Sequence, residues 1–151
     1  MNGKNPLVSI IIPHFNNYSI LEECIHSIYN IKYNSIEIII VDNNSTDDSI
    51  NKIQNKFSEI IIYKSDKNLG YAGGCNLGSG IAKGEYLFFL NNDTVQEPDC
   101  LDFLVDTLKN NENIVSVQPK IKNYNQKNIF DYAGASGGYI DFFVYPFCRG
   151  R

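Results

Sequence analysis

The chain is predicted to form an α/β domain with a mostly parallel sheet and helices on both faces. Two observations carry that expectation. Short β-branched runs alternate with stretches of helical apolar spacing, so strand follows helix follows strand. Each apolar run also stops at a polar, turn-forming loop, and single helices between strands imply right-handed crossovers.

The elements follow in order. Val8-Ser-Ile-Ile-Ile12 reads as a buried strand ended by Pro13. After a polar turn, Ile20, Leu21, Cys24, Ile25, Ile28 and Tyr29 recur at helical spacing, which puts one apolar face against a sheet. Ile36 to Val41 is a second strand. Thr46 followed by Asp47 and Asp48 predicts a helix start, with carboxylates at the positive end of the dipole, continued by Ile50, Ile53 and Phe57.

Glu59 to Tyr63 is a third strand, and Tyr71 to Lys83 is helix-like. That helix carries Gly73, Gly74, Gly78 and Gly80. Each interior glycine costs a helix roughly 1 kcal/mol, so another reason is needed, and close approach of the backbone to a neighbour is the usual one. Glu85 to Leu90 is a fourth strand, Pro98 opens a helix through Leu101, Leu104, Val105 and Leu108, and Ile114 to Val117 is a fifth strand. From Asp131 to Arg151 periodicity is lost, which reads as an unfinished segment of a longer protein, with an apolar tail over Tyr139–Phe147 that a partner segment would cover. A single domain is expected over residues 1–151, with the ligand-binding part at about 7–120 and a second functional region beginning at 121–151.

Composition narrows the function classes. The chain has 151 residues, 43% hydrophobic and 20% charged, which excludes disordered and collagen-like chains. Lys and Arg number 13 against 17 Asp and Glu, for a net charge of −4, so no nucleic-acid partner is expected. No apolar run is long enough to span a membrane, and the polar start Met1–Pro6 predicts no secretory signal, so a cytoplasmic location is expected. Cys24, Cys75, Cys100 and Cys148 stand too far apart for a zinc motif and are read as free packing thiols.

In a parallel sheet, ligands bind beyond the carboxyl ends of the strands. That brings together the loops Pro13–Asn17, Asp42–Thr46, Lys64–Gly74 and Asn91–Thr94. Neither a P-loop nor a dinucleotide-binding G-x-G-x-x-G follows the first strand.

Four segments then come in order: Ser9-Ile-Ile-Ile-Pro13 with Asn16, Val41-Asp-Asn-Asn-Ser-Thr-Asp47, Asn68-Leu-Gly-Tyr-Ala-Gly-Gly-Cys-Asn76, and Leu90-Asn-Asn-Asp-Thr94. Together they resemble the family 2 glycosyltransferases of the GT-A fold, in the rhamnosyltransferase-like branch. The resemblance covers about residues 7 to 120. It implies a Rossmann-like nucleotide-diphospho-sugar transferase fold and an inverting transfer from a UDP- or dTDP-sugar to a glycan or lipid-linked acceptor. It also implies a place in cell-surface polysaccharide synthesis, at the inner membrane face in a full-length protein.

The resemblance assigns roles residue by residue. Asp42 would accept from the N3–H of a pyrimidine, although a turn before Thr46 would use the same residue. Pro13, Phe15 and Asn16 would wall the base, with Asn44 beside them. Asn68, Gly70 and Asn76 would approach the diphosphate, helped by a helix N-terminus. Asn91, Asn92 and Asp93 would form the loop that holds Mg²⁺ or Mn²⁺, with Asp93 as the metal ligand. One carboxylate and the phosphates can suffice for such ions. Two positions depart from the family: Asn91 stands where an Asp is usual, and Cys75 where many relatives carry Arg. Lys67 is a possible substitute cation. The catalytic base is an acidic residue expected beyond Arg151, which predicts an inactive fragment. A nucleotidyltransferase and a non-catalytic sugar-nucleotide-binding module are the alternatives. For His14 and His26 ordinary packing is the preferred reading.

Overall fold

In this computed structural model, the structure describes residues 5–131, 138–140, 142 and 146–148. The elements are β1 (Val8–His14), α1 (Tyr18–Tyr29), β2 (Ile36–Asp42), α2 (Ser49–Lys56), β3 (Ile61–Lys64), α3 (Gly70–Ile81), β4 (Tyr86–Phe89), α4 (Cys100–Lys109), β5 (Gly138–Ile140) and β6 (Pro146–Cys148). The first four strands form one parallel sheet in the order β3-β2-β1-β4. Strands β5 and β6 form a separate antiparallel pair. The chain divides into two units, residues 1–99 and 100–151.

Within the first unit the topology follows from handedness. The chain steps from β1 to β2 to β3 in one direction, then returns past both to place β4 beside β1. Right-handed crossovers therefore put α1 and α2 on one face and α3 on the other. Side-chain alternation agrees: Ile11, Ile39 and Val41 form a buried cluster with Leu77, Ile81 and Ala82 of the α3 segment. Leu21, Cys24, Ile25 and Ile28 are the buried stripe of α1. The two helices on that face are joined by a stacked Tyr29–Phe57 pair at 5.5 Å and a Lys56–Glu22 ion pair at 2.8 Å.

Of the interior α3 glycines, Gly74 and Gly78 have the expected cause, and the neighbour is the sheet; Gly73 meets Leu69, and Gly80 has nothing within 4 Å. A methyl group on Gly78 would sit 2.4 Å from Ile11 Cγ2, and one on Gly74 would sit 2.8 Å from Pro13 Cβ. The helix lies too close to β1 for side chains there.

Three expectations are corrected. Pro13 does not end β1, which continues to His14. The His14 carbonyl accepts from Asn43 N–H on the β2 side. Alternation then turns Pro13 toward β4, where pairing has already ended at Ile11–Phe89, so its missing N–H breaks no ladder bond. Helix α2 begins at Ser49 with Asp48 as its cap residue, not at Thr46. Thr46 N–H is instead given to Asn16 Oδ1 at 2.8 Å. Ile114–Val117 is not a strand: Ile114 N–H closes a turn onto Asn111 O, and the Val115 side chain is 93% exposed. A strand needs a paired neighbour, and among the described residues that segment has none.

In the second unit, α4 buries Leu101 and Val105, and Lys122 bridges Phe130 in an isolated antiparallel contact. The exposure expected of the Tyr139–Phe147 tail falls mostly outside the described residues. Among the described residues no helix is long and apolar enough to cross a membrane.

Candidate functional site

All four strands of the first sheet run in parallel, so the segments after His14, Asp42, Lys64 and Phe89 emerge at one end. The β1–β4 junction is where the strand order reverses.

The loops after β1 and β2 are locked together. Asn16 and Asn17 both have positive φ, 58° and 71°, which Asn tolerates better than most residues. That bend presents Asn16 Oδ1 to the N–H groups of Thr46 and Asp47, at 2.8 and 3.3 Å. Asn16 N–H is given to Ser45 Oγ, and Asn17 N–H to Asp47 Oδ2 at 2.7 Å. Asn17 also caps α1 by accepting from Ile20 N–H.

Asp42 is 6% exposed at the end of β2. Its Oδ1 accepts from Ser45 N–H at 2.8 Å, so the turn role and a ligand role divide between two oxygens. Asn44 is exposed with φ 65°. Phe15, expected as a wall, is 48% exposed, and Pro13 is buried against α3.

The loop before α3 is a tight turn. Asn68 Oδ1 accepts from Gly70 N–H at 2.8 Å, and Gly70 has φ 69°. The Gly70 carbonyl accepts from Asn43 Nδ2, which ties this turn to the end of β2. Asn76 is exposed on α3, while Cys75 beside it is buried and its thiol is pushed up by burial. A shallow cleft beside β3 is lined by Tyr63, Lys64, Ser65, Asp66, Leu69, Leu77 and Lys67, the possible substitute cation; none of the other predicted site residues lines it.

The loop after β4 holds Asn91, Asn92 and Asp93. Asn91 and Asp93 are exposed. The Asn91 carbonyl accepts from Thr94 Oγ1 at 2.8 Å and from the Cys24 thiol at 3.7 Å. Further along, Gln96 N–H is given to Ser27 Oγ of α1. Among the described residues no group of three or more His, Cys, Asp and Glu could hold a metal ion. Asp93 is a single exposed oxygen donor, a set that fits a hard divalent ion only if phosphate oxygens supply further ligands.

Sequence reading missed two residues here. His14 is buried, with Nε2 3.0 Å from Ser49 Oγ and Nδ1 2.9 Å from Asn92 Nδ2. Burial lowers its pKa, against the opposing charges of Asp42 and Asp47. The available signal was its place directly after an apolar strand, but nothing in spacing points to Ser49. The other is Asn43, buried, with its Oδ1 lacking a hydrogen-bond partner.

Fold and geometry define an α/β protein with a four-stranded parallel sheet whose strands all end at one edge. Residues 9–143 match the model of glycosyl transferase family 2, and the chain belongs to that family. A curated relative, GalNAc(5)-diNAcBac-PP-undecaprenol beta-1,3-glucosyltransferase of Campylobacter jejuni, is 39% identical over 92 residues, covering 58% of this chain and 30% of its own length. The crystal structure of S. aureus TarS 1-349 superposes with TM-score 0.73 at 18% identity, over 89% of this chain and 41% of that one. The mannosyltransferase PcManGT of Pyrobaculum calidifontis, in complex with GDP-Man and Mn²⁺, superposes with TM-score 0.67 at 22% identity, over 80% of this chain and 36% of that one. These likenesses establish the GT-A fold. The chain spans 30–40% of the length of such curated relatives.

Proposed function

We propose that this chain binds the donor of an inverting glycosyltransferase of the rhamnosyltransferase-like branch. The donor is a UDP- or dTDP-sugar, and the acceptor is a glycan or lipid-linked intermediate of cell-surface polysaccharide synthesis. One observation carries the reading: Asp42 and the loop of Asp93 flank β1 at the same sheet end, with β1 the only strand between them. Two strand spacings of about 4.8 Å separate β2 from β4. A nucleoside diphosphate lying across β1 would meet an acceptor-only carboxylate at its base and a metal-binding carboxylate at its phosphates.

Each assigned residue has a defined part. Asp42 Oδ2 accepts from the pyrimidine N3–H while Oδ1 keeps its turn. Phe15 and Asn16 flank the base. Asn68, Gly70 and Asn76 lie toward the diphosphate, and Cys75 is too buried to replace a phosphate-binding cation. Asp93 takes Mg²⁺ or Mn²⁺ together with diphosphate oxygens, with Asn91 and Asn92 beside it. When bound, the ion neutralises charge on the departing diphosphate. Relatives support parts of this: TarS has been solved with UDP-GlcNAc, PcManGT with GDP-Man and Mn²⁺, and the Campylobacter relative is named for a lipid-linked acceptor. Work at the inner membrane face accords with such acceptors.

The test is thermal unfolding with UDP, dTDP or GDP, with and without Mn²⁺. A ligand at 100 times its Kd stabilises by about 2.7 kcal/mol, which for a chain of this size raises Tm by roughly 5–10 °C. A Mn²⁺-dependent rise with UDP or dTDP, lost in Asp93→Ala, is expected. A rise with GDP alone would overturn the pyrimidine assignment, and no rise with any nucleotide would overturn the donor site.

A further inference from the structure

The structure ties the exposed Asp93 loop to the buried interior through one side chain that the proposed function leaves unused. The tie can be derived proton by proton. Asp47 is a carboxylate and only accepts, so the single hydroxyl proton of Ser49 goes to Asp47 Oδ1, 2.5 Å away. Ser49 Oγ must then accept from His14 Nε2–H, 3.0 Å away. A neutral imidazole carrying its proton on Nε2 has a bare Nδ1, which is an acceptor. Its neighbour at 2.9 Å is the amide nitrogen of Asn92, a donor. Every group in the chain Asn92–His14–Ser49–Asp47 thus has one consistent role, fixed by the acceptor-only carboxylate at its end. The other end is fixed as well, since Asp47 Oδ2 accepts from Asn17 N–H.

We propose that His14 is a positioning residue, locked as the Nε2–H tautomer by Ser49 and Asp47, which orients the Asn92 amide and so holds the Asp93 loop ready for the metal–diphosphate pair. The metal part of this statement rests on the donor-site reading; the tautomer and the Asn92 bond do not. His14 faces Asp42 from β2 and Asp47 from the loop before α2, with Ser49 and Asn92 on its two nitrogens. The consequence is that loop geometry at Asp93 depends on Asp47 and Ser49, residues of the other loop pair that touch neither metal nor phosphate.

Long-range ¹H–¹⁵N spectra of the imidazoles at pH 7.5 test the lock directly. The chain has two histidines, so a His26→Gln variant leaves His14 as the sole signal. An Nε2–H pattern with a non-protonated Nδ1 is expected, together with an Asn92 side-chain amide protected from exchange. Ser49→Ala and Asp47→Asn should each mix the tautomers and expose that amide. Ser49→Ala should also weaken Mn²⁺-dependent UDP binding on the order of 10-fold, the scale of a lost outer-shell partner, while leaving metal-free UDP binding unchanged. A wild-type Nδ1–H tautomer overturns the proposal, as does an Asn92 amide that stays protected in both variants. So does a tautomer change with Mn²⁺-dependent affinity held within about twofold. Wild-type protein that shows the lock but binds no UDP sinks the donor-site reading instead, and leaves His14 as the residue that orients Asn92.

Discussion

The loops that follow β1 and β4 end neighbouring strands of one sheet, yet they are held in different ways. After β1, the backbone bends twice through positive φ and is bonded to the β2 loop by Asn16 and Asn17 through six hydrogen bonds of 2.7–3.5 Å. After β4, the side-chain ties run through Asn92 to His14 and through backbone groups of Asn91 and Gln96 to α1, while the Asp93 carboxylate stands exposed. Half of the strand-end surface is thus built by the chain itself. The other half presents the exposed Asp93 carboxylate. Under the proposed function the β1 side meets the base, where rigidity helps because preorganisation removes ordering cost. Under the same proposal the β4 side meets the metal, which with one carboxylate would gain its remaining ligands only with the phosphates.

The largest expected effect comes from breaking the built half. Asn16→Ala removes the acceptor for two loop N–H groups and puts a Cβ-bearing residue without Asn's local bonds in the left-handed region. Together these should cost about 2 kcal/mol, lowering Tm by roughly 4–8 °C in a protein of this size. Asn16→Gly restores the backbone freedom and should recover a part of the loss. Asn92→Ala should cost about 1 kcal/mol or less in stability and act mainly on Mn²⁺-dependent binding. Equal losses of Tm in the two variants would erase the distinction between the halves. Urea unfolding of both, at matched pH, reads it.

The fold was legible because its signals are local. The runs Val8–Ile12, Ile36–Val41 and Tyr86–Leu90 are β-branched or aromatic and bounded by turn residues, and the helical stripe of α1 repeats cleanly. Gly74 and Gly78 of α3 announced a close approach, and the sheet proved to be their neighbour, whereas Gly80 has open space around it. Ile114–Val117 misled because a short apolar run states only a preference, and pairing depends on a distant strand. The start of α2 misled because Thr46 has a better use across the loop, given to Asn16 thirty positions earlier. At the site, acidic and glycine-bearing loops marked the region. His14 was not legible as anything but core, since its meaning lies in Ser49 and Asn92, which are 35 and 78 positions away.

A smaller effect sharpens the link between the halves through pH. His14 has its pKa lowered below the ordinary 6.5, chiefly by burial. As pH falls through 6.5 the unfolded chain takes up a proton that the folded chain refuses, so the unfolded state binds more protons and stability falls with falling pH. Asp47 acts in the same direction, because its carboxyl is held below the ordinary 3.8, first by the Ser49 hydroxyl. Its window lies lower, so the two separate. Between pH 7.5 and 5 the urea midpoint should decline in the wild type and decline less in His14→Gln. A wild-type midpoint that is flat across that range would show that the ring is not held neutral, and the two halves would lose their proposed connection.

The smallest effect concerns how often the β4 side opens. Cys24 lies on α1 with its thiol against the Asn91 carbonyl, and burial pushes its pKa up to about 12. At pH 8 little of it is then thiolate, and thiolate is the species that alkylates. Cys75 is also buried with a raised pKa, whereas Cys100 is partly exposed. Iodoacetamide labelling read by peptide mass mapping should therefore modify Cys100 well before Cys24. Protection of Cys24 needs the Asn91–Gln96 segment closed over α1, so its labelling rate counts openings of that segment. Excess UDP with Mn²⁺ should slow it further if the ligand completes the open half, and should leave Cys75 labelling nearly unchanged. A Cys24 rate equal to that of Cys100 would mean that the β4 side opens freely and that the His14–Asn92 tie does not hold the segment down.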